Sequence, residues 1–178
     1  ADAECRWFVR TYVERNRAGR DIKDPDELLL VAKAGADNAH WYEMIGIQST
    51  AHGPKEPISI TFTDKTSPIT QGLADWTTVG EELYNNVQVL TAKPLATGVQ
   101  IIPAKGKKKG EAPPPDAKAT EATSVVAWTN EYGPNKTKIF STTIGHFTET
   151  VADTRYLDLV TRGILWATGH IDENGKAK

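Results

Sequence analysis

The stretch that most constrains the fold runs from Lys138 to Gly169, K-I-F-S-T-T-I-G-H-F-T-E-T followed by V-A-D-T-R-Y-L-D-L-V-T-R-G-I-L-W-A-T-G. Ile139, Phe140, Thr142, Thr143 and Ile144 are β-branched or aromatic, a composition that suits a half-buried strand. Gly145 ends that strand. Asp153 is a good N-cap for a following helix, because its carboxylate can accept from a free N–H of the first turn. Tyr156, Val160, Gly163, Ile164 and Ala167 then recur at helical spacing as an inward face. Leu157 and Leu165 are further core candidates, and Asp158, Thr161 and Arg162 fall on the outer side. Gly169 can stop the helix in the left-handed conformation. The stretch therefore reads as a strand, a glycine break, a polar turn and an apolar helix.

His146 and Glu149 lie in that turn. One reading makes His146 a general base or metal ligand with Glu149 beside it, both facing one cleft at a strand end. The other makes His146 a local hydrogen-bonding residue that holds the turn shut.

The remaining constraints are mostly exclusions. A chain of 178 residues suits one domain, 1–178, with a real core. A net charge of −2 gives no electrostatic reason to expect nucleic acid or an anionic membrane as partner. No stretch is apolar for long enough to cross a bilayer. The leading A-D-A-E-C-R has no apolar signal region. A cleaved signal or a truncation would leave the same trace, so compartment stays open. One cysteine, Cys5, excludes an intramolecular disulfide and a multi-cysteine zinc site.

Taken in order, Phe8, Val9, Tyr12 and Val13 predict a short amphipathic helix within residues 5–15. Asp24-Pro25-Asp26-Glu27 predicts a helix start, with apolar spacing carried to Tyr42, a division into two helices at the G-A-D-N run 35–38 as the alternative, and an end at Gly46. Pro57 to Thr63 alternates with a period of two and predicts a strand. The Thr50–Pro54 segment before it reads as a loop, with His52 either a site residue or a solvated one. Asp64 to Asp75 reads as a polar connection. Glu81 and Glu82 are a candidate acid/base pair or simply a solvated pair. Val87–Thr91 and Val99–Ile102 read as short strands, or as one strand interrupted at Pro94. Residues 103–120 are rich in Lys, Pro, Ala and Gly and cannot bury enough apolar surface to be ordered, so they are expected to be a flexible insertion. Ser124–Thr129 and 138–144 read as two strands of a hairpin across the turn residues 131–135. The tail 170–178 is expected to fray. Phosphate-loop, dinucleotide-binding, zinc-protease and serine-hydrolase motifs do not occur.

Several blocks together carry a family resemblance: H-G-P-K-E-P-I at 52–58, S-P-I-T-Q-G-L at 67–73, E-E-L-Y at 81–84, V-V-A-W-T-N-E-Y-G at 125–133, and the 142–169 run. From about His40 to Gly169 the chain resembles the ThuA-like, or trehalose-utilisation, family. The resemblance implies an α/β layered sandwich related to class I glutamine amidotransferases, with a flavodoxin-like sheet. It also implies a link to disaccharides and keto-sugars, so the expected partner is a small-molecule carbohydrate. His146 and Glu149 fall where amidotransferase relatives place their catalytic His and Glu. His52, Glu82 and Tyr84 lie in blocks that the resemblance turns toward the same cleft, as substrate-binding candidates. Metal identity stays unknown, with a divalent cation as one reading. Three departures stand out. The usual N-terminal strand–helix units are not matched. Ser67 stands where the family often has His. Cys5, in A-E-C-R-W, lacks the small flanking residues of a nucleophile elbow. A non-catalytic binding module and a cysteine-dependent hydrolase are the alternative readings.

Deleting Lys105 to Ala117 is expected to shift the melting temperature by less than about 5 °C, roughly 1–2 kcal/mol for a domain of this size. Differential scanning calorimetry of the deletion variant checks this.

Overall fold

The computed structural model describes residues 10–13, 39–49, 51–106 and 112–178. In chain order the elements are β1 (Arg10–Val13), α1 (Ala39–Ile45), β2 (Ile47–Gln48), β3 (Ala51–Glu56), β4 (Ile58–Phe62), β5 (Trp76–Thr77), β6 (Glu81–Asn85), β7 (Gln88–Val89), β8 (Lys93–Ile102), β9 (Thr120–Tyr132), β10 (Thr137–Thr142), α2 (Thr148–Val151) and α3 (Thr154–Ala167). The main sheet has the order β1-β10-β9-β8-β4-β5, and two ribbons, β2-β7 and β3-β6, stand apart from it. The architecture is mostly strand with a few helices, compatible with an α/β fold. Every pairing among the described residues is antiparallel. The reason is local: β8, β9 and β10 follow one another through hairpin connections, which can join only antiparallel neighbours. The described helices include none long and apolar enough to cross a membrane.

Strand β4 follows its sequence pattern closely. Ile58, Ile60 and Phe62 are buried while Ser59 and Thr61 are exposed, as a sheet with one wet face requires. Their side chains join Leu83, Leu95, Val126 and Phe140 in the principal core. Helix α3 closes this core, lying against β10 and β1 and burying Tyr156, Leu159, Val160, Gly163 and Ala167. The Asp153 carboxylate accepts from the Arg155 N–H at 2.8 Å, so the N-cap read from sequence is in place. Arg155 also donates its guanidinium to that carboxylate, which holds the acid below the ordinary carboxylate range. At the far end the N–H groups of Gly169 and His170 return to Trp166 and Leu165, with Gly169 at φ +76°. This is the Schellman closure that the glycine permits.

Several expectations are corrected. Residues 10–13, read within a helix, form a strand paired to β10; the sheet edge overrides a weak helical spacing. The rest of that stretch, Cys5 and the helix start at Asp24 lie outside the described residues. The Thr50–Pro54 loop is largely strand, because Ala51–Glu56 pairs with β6. Val87–Thr91 and Val99–Ile102 fall in two separate strands: Gln88–Val89 is β7, paired with β2, and the second strand starts earlier than expected, at Lys93, as β8. Proline sits at its second residue, with the register shifting between Pro94 and Ala96; a strand start tolerates a missing N–H. Leu157 is 46% exposed, so Leu159 takes the core place assigned to it. The tail is drawn into a turn: Ile171 is buried and bridges Ala177, and the Asp172 carboxylate accepts from the N–H groups of Asn174 and Lys176. The last pair of the β8–β9 hairpin is Ile102 with Thr120, and the described residues 103–106 and 112–119 lie beyond it outside any strand.

Gly163 is where α3 touches the sheet. A Cβ there would lie 2.2 Å from Phe140 Cδ1, well inside van der Waals contact. Helix propensity alone favours alanine over glycine by about 1 kcal/mol. Gly163→Ala is nevertheless expected to destabilise, since Phe140 is fully buried and overpacking a core costs about 1–3 kcal/mol. Urea unfolding of the variant reads the sign directly.

Candidate functional site

The β3–β6 ribbon and the turn after β10 meet in one cluster of polar side chains. In β6 the pattern E-E-L-Y-N places Glu81 and Leu83 inward, both fully buried, and puts Glu82 and Tyr84 on the opposite face. Across the ribbon, Tyr84 pairs with His52 and Glu82 with Lys55. His52 and Lys55 are three residues apart, so a regular strand would send them to opposite faces. The register shifts between them, and this irregularity returns both to the face that carries Glu82.

Gln100 braces that irregular strand. Its buried Nε2 donates to the backbone oxygens of Pro54, Glu56 and Glu81 at 3.0, 3.1 and 2.9 Å. Its Oε1 lies where a Cβ on residue 53 would be, 2.2 Å away. Gly53 is required by this approach.

Glu82 stands between two histidines. Its Oε2 is 3.5 Å from His52 Nδ1 and 3.6 Å from His146 Nδ1. These are ion-pair separations at the outer limit of hydrogen bonding. His52 Nδ1 is also 2.9 Å from the Gly53 carbonyl oxygen. A carbonyl only accepts, so Nδ1 carries the proton and Nε2 carries the lone pair. His146 Nδ1 is buried and faces the same carboxylate, which favours the same tautomer. The ring is 25% exposed, so its open part is not Nδ1. Each imidazole thus carries its lone pair on Nε2. Tyr84 backs His52 at 6.0 Å between ring centroids, and Phe147 packs on His146 at 4.6 Å. Lys55 Nζ lies 3.7 Å over the Phe147 ring, a cation–π contact at the edge of the cluster.

His146 is held there by Glu81, a residue that reading the sequence as a solvated carboxylate pair passes over. Glu81 has no exposure. Its two carboxylate oxygens accept from the backbone N–H groups of Gly145 and His146, each at 3.1 Å. Gly145 has φ +109°, and a Cβ on it would fall 2.4 Å from the Tyr156 hydroxyl. Glycine alone fits both demands. The alternation of Glu81 with Leu83 was the signal for an inward-facing carboxylate.

Of the residues picked out in the sequence, His52, Glu82, Tyr84 and His146 come together. Glu149 does not join them. It is exposed in the first turn of α2, and it makes no ion pair with another described residue. The carboxylate at His146 is Glu82. His170 is exposed in the tail, and Ser67 lies with the pocket residues around Lys93. Among the described residues no group of three or more His, Cys, Asp or Glu is arranged to hold a metal ion. With Glu82 on the Nδ1 edges, the two Nε2 atoms are the donors a cation would meet.

Glu81→Ala is expected to cost about 3 kcal/mol or more, since two hydrogen bonds to a charged acceptor are lost and two N–H groups are stranded. Glu82→Gln, which keeps the size of the side chain and one acceptor oxygen, is expected to leave stability within about 1 kcal/mol. Paired chemical denaturation curves separate the two.

Comparison with curated proteins and with solved structures gives no match. The family model described as trehalose utilisation, ThuA, matches residues 28–167. That span covers β3, β6, β10 and the turn that carries His146, and it takes in most of the chain. The protein belongs to the ThuA family.

Proposed function

We propose that this chain acts on a carbohydrate, a disaccharide or keto-sugar, at the cluster of His52, Glu82 and His146. The observation that carries the reading is one carboxylate oxygen within 3.6 Å of the Nδ1 atoms of both histidines. Such a carboxylate orients each ring. One Nε2 can then take a proton from a sugar hydroxyl, or from carbon beside a keto group, and the same atom can return that proton later in the turnover. Proton transfer by positioned side chains contributes about 10²–10⁴-fold in rate. Membership of the trehalose-utilisation family supports a sugar as the substrate class.

Within this reading the other candidates take narrower roles. Tyr84, 4% exposed, supports the His52 ring. Glu149, exposed on α2, reaches a substrate hydroxyl from the rim. A divalent cation, if the reaction uses one, would be held by the Nε2 atoms. The amidotransferase-like, flavodoxin-like layering expected of the family rests on the family match alone. A cysteine-dependent hydrolase has no support from the described residues, and Cys5 lies outside them.

The test pairs function with stability. His146→Ala, His52→Ala and Glu82→Gln are assayed on disaccharides and their keto forms, with and without divalent metal, alongside calorimetry. Turnover is expected to fall by about 100-fold or more in the histidine variants, with melting temperatures within a few degrees of wild type. Intact sugar binding without turnover in the wild type would make the chain a binding module. A His146→Ala protein that melts far earlier yet binds sugar normally in the cold would make His146 structural and end the proposal.

A further inference from the structure

A second pocket lies at the other end of the sheet. Gln100, hydrogen-bonded to the Glu81 carbonyl, marks the histidine end of β8. Lys93, at the start of β8, lines the second pocket. Seven residues of strand separate them, roughly 20 Å. The pocket holds about 500 Å³, within the range of small-molecule sites.

Its walls combine one aromatic surface with several groups that hydrogen-bond. Trp166 supplies the aromatic surface. Lys138 Nζ sits over that indole at 5.1 Å, and Trp166 also packs on the principal core, so the ring is fixed in place. Thr91, Thr129 and Glu131 lie around it; their side chains make no hydrogen bond to another described residue. Ser67 Oγ accepts from the Ile69 N–H at 3.3 Å, which leaves its own proton to donate.

The charge in the pocket decides the ligand class. Lys93 is already committed, with Nζ 2.8 Å from the Asp64 carboxylate. Lys93, together with the Thr66 hydroxyl, holds the Asp64 carboxyl down at about 2, so that carboxylate stays ionised at any ordinary pH. An anion would have to compete with that contact and would also meet Glu131, whose cross-strand neighbour Lys138 is engaged over the Trp166 indole. A neutral molecule with many hydroxyl groups meets neither obstacle. Its C–H face can lie on the indole while its hydroxyls reach the threonines and the Glu131 carboxylate.

We propose that this pocket is a second ligand site, for a neutral saccharide seated on Trp166 and held by Thr91, Thr129 and Glu131. It does not depend on the histidine cluster, which lies at the far end of β8.

The experiment follows the Trp166 indole N–H by nuclear magnetic resonance, assigned with Trp166→Phe, during titration with maltose, trehalose and glucose phosphate. The indole is expected to shift saturably with a neutral disaccharide, and to do so equally in His146→Ala. Thr91→Arg fills the pocket from an exposed position and is expected to weaken that binding at least about tenfold. Glu131→Ala, also at an exposed position, is expected to weaken it without disturbing the fold. Three results would overturn the proposal: an indole unmoved by either neutral disaccharide, a response to glucose phosphate alone, or wild-type binding in both Thr91→Arg and Glu131→Ala. Loss of activity in the histidine variants with the indole response intact would bear on the histidine cluster only.

Discussion

The buried carboxylate of Glu81 is the contact on which the candidate site depends. A fully buried acid is costly unless its oxygens are satisfied. Here both accept from consecutive backbone N–H groups, Gly145 and His146. This ties the β6 ribbon to the chain leaving β10, two elements 64 and 65 residues apart in sequence. Neighbouring residues on β6 then divide the work. Glu81 holds the backbone of the turn, and Glu82, on the other face of the strand, meets the His146 ring. The position of the histidine is thus set from both sides by one dipeptide.

The ribbon is held in turn by Gln100. One amide nitrogen serves three carbonyls from β3 and β6, and it does so from inside β8, a strand of the main sheet. The irregular stretch at Gly53-Pro54 could not pair regularly, and the glutamine replaces the ladder bonds that β3 forgoes there. Main sheet, ribbon and turn therefore form one connected hydrogen-bonded system. Such a system is suited to holding two imidazoles in fixed tautomers, which is what positioned proton transfer requires.

The sequence was legible where one local rule operated alone. Strand β4 follows strict alternation, and α3 follows its cap, its inward face and its terminal glycine. The β9–β10 hairpin follows from its turn residues. Legibility failed where a distant partner decided the outcome. Arg10–Val13 has helical spacing, but an open sheet edge beside β10 makes it a strand. Ala51–Glu56 looks like loop because Gly53 and Pro54 interrupt it, and only Gln100 shows how a strand survives them. At the site, three of the residues that meet were visible as a His, a Glu and a His in separate blocks. Their meeting was not, because nothing within either block reports the 30-residue and 64-residue separations that the ribbon and the turn close. Glu149 was favoured for being near His146 in sequence. Glu82 is near it in space. Glu81 was read only as half of an acid/base or solvated pair, although its alternation with Leu83 already placed it inward.

The long strand β9 is supported unevenly. Ala127, Trp128 and Thr129 pair with β8 on one side and β10 on the other. From Thr120 to Val125 the strand pairs with β8 alone, since β10 ends its ladder at Ala127. Opening the outer half of the hairpin therefore breaks one ladder, while opening the inner half breaks two and exposes the fully buried Trp128 indole. Local unfolding free energies differ within a single element for this reason. Amide hydrogen exchange along β9 then forms a gradient, fast at the hairpin tip and approaching the global unfolding limit at Trp128. The strand that forms the centre of the sheet also frays at one end, and the boundary between the two regimes falls next to Val126, whose carbonyl accepts from the Thr142 hydroxyl.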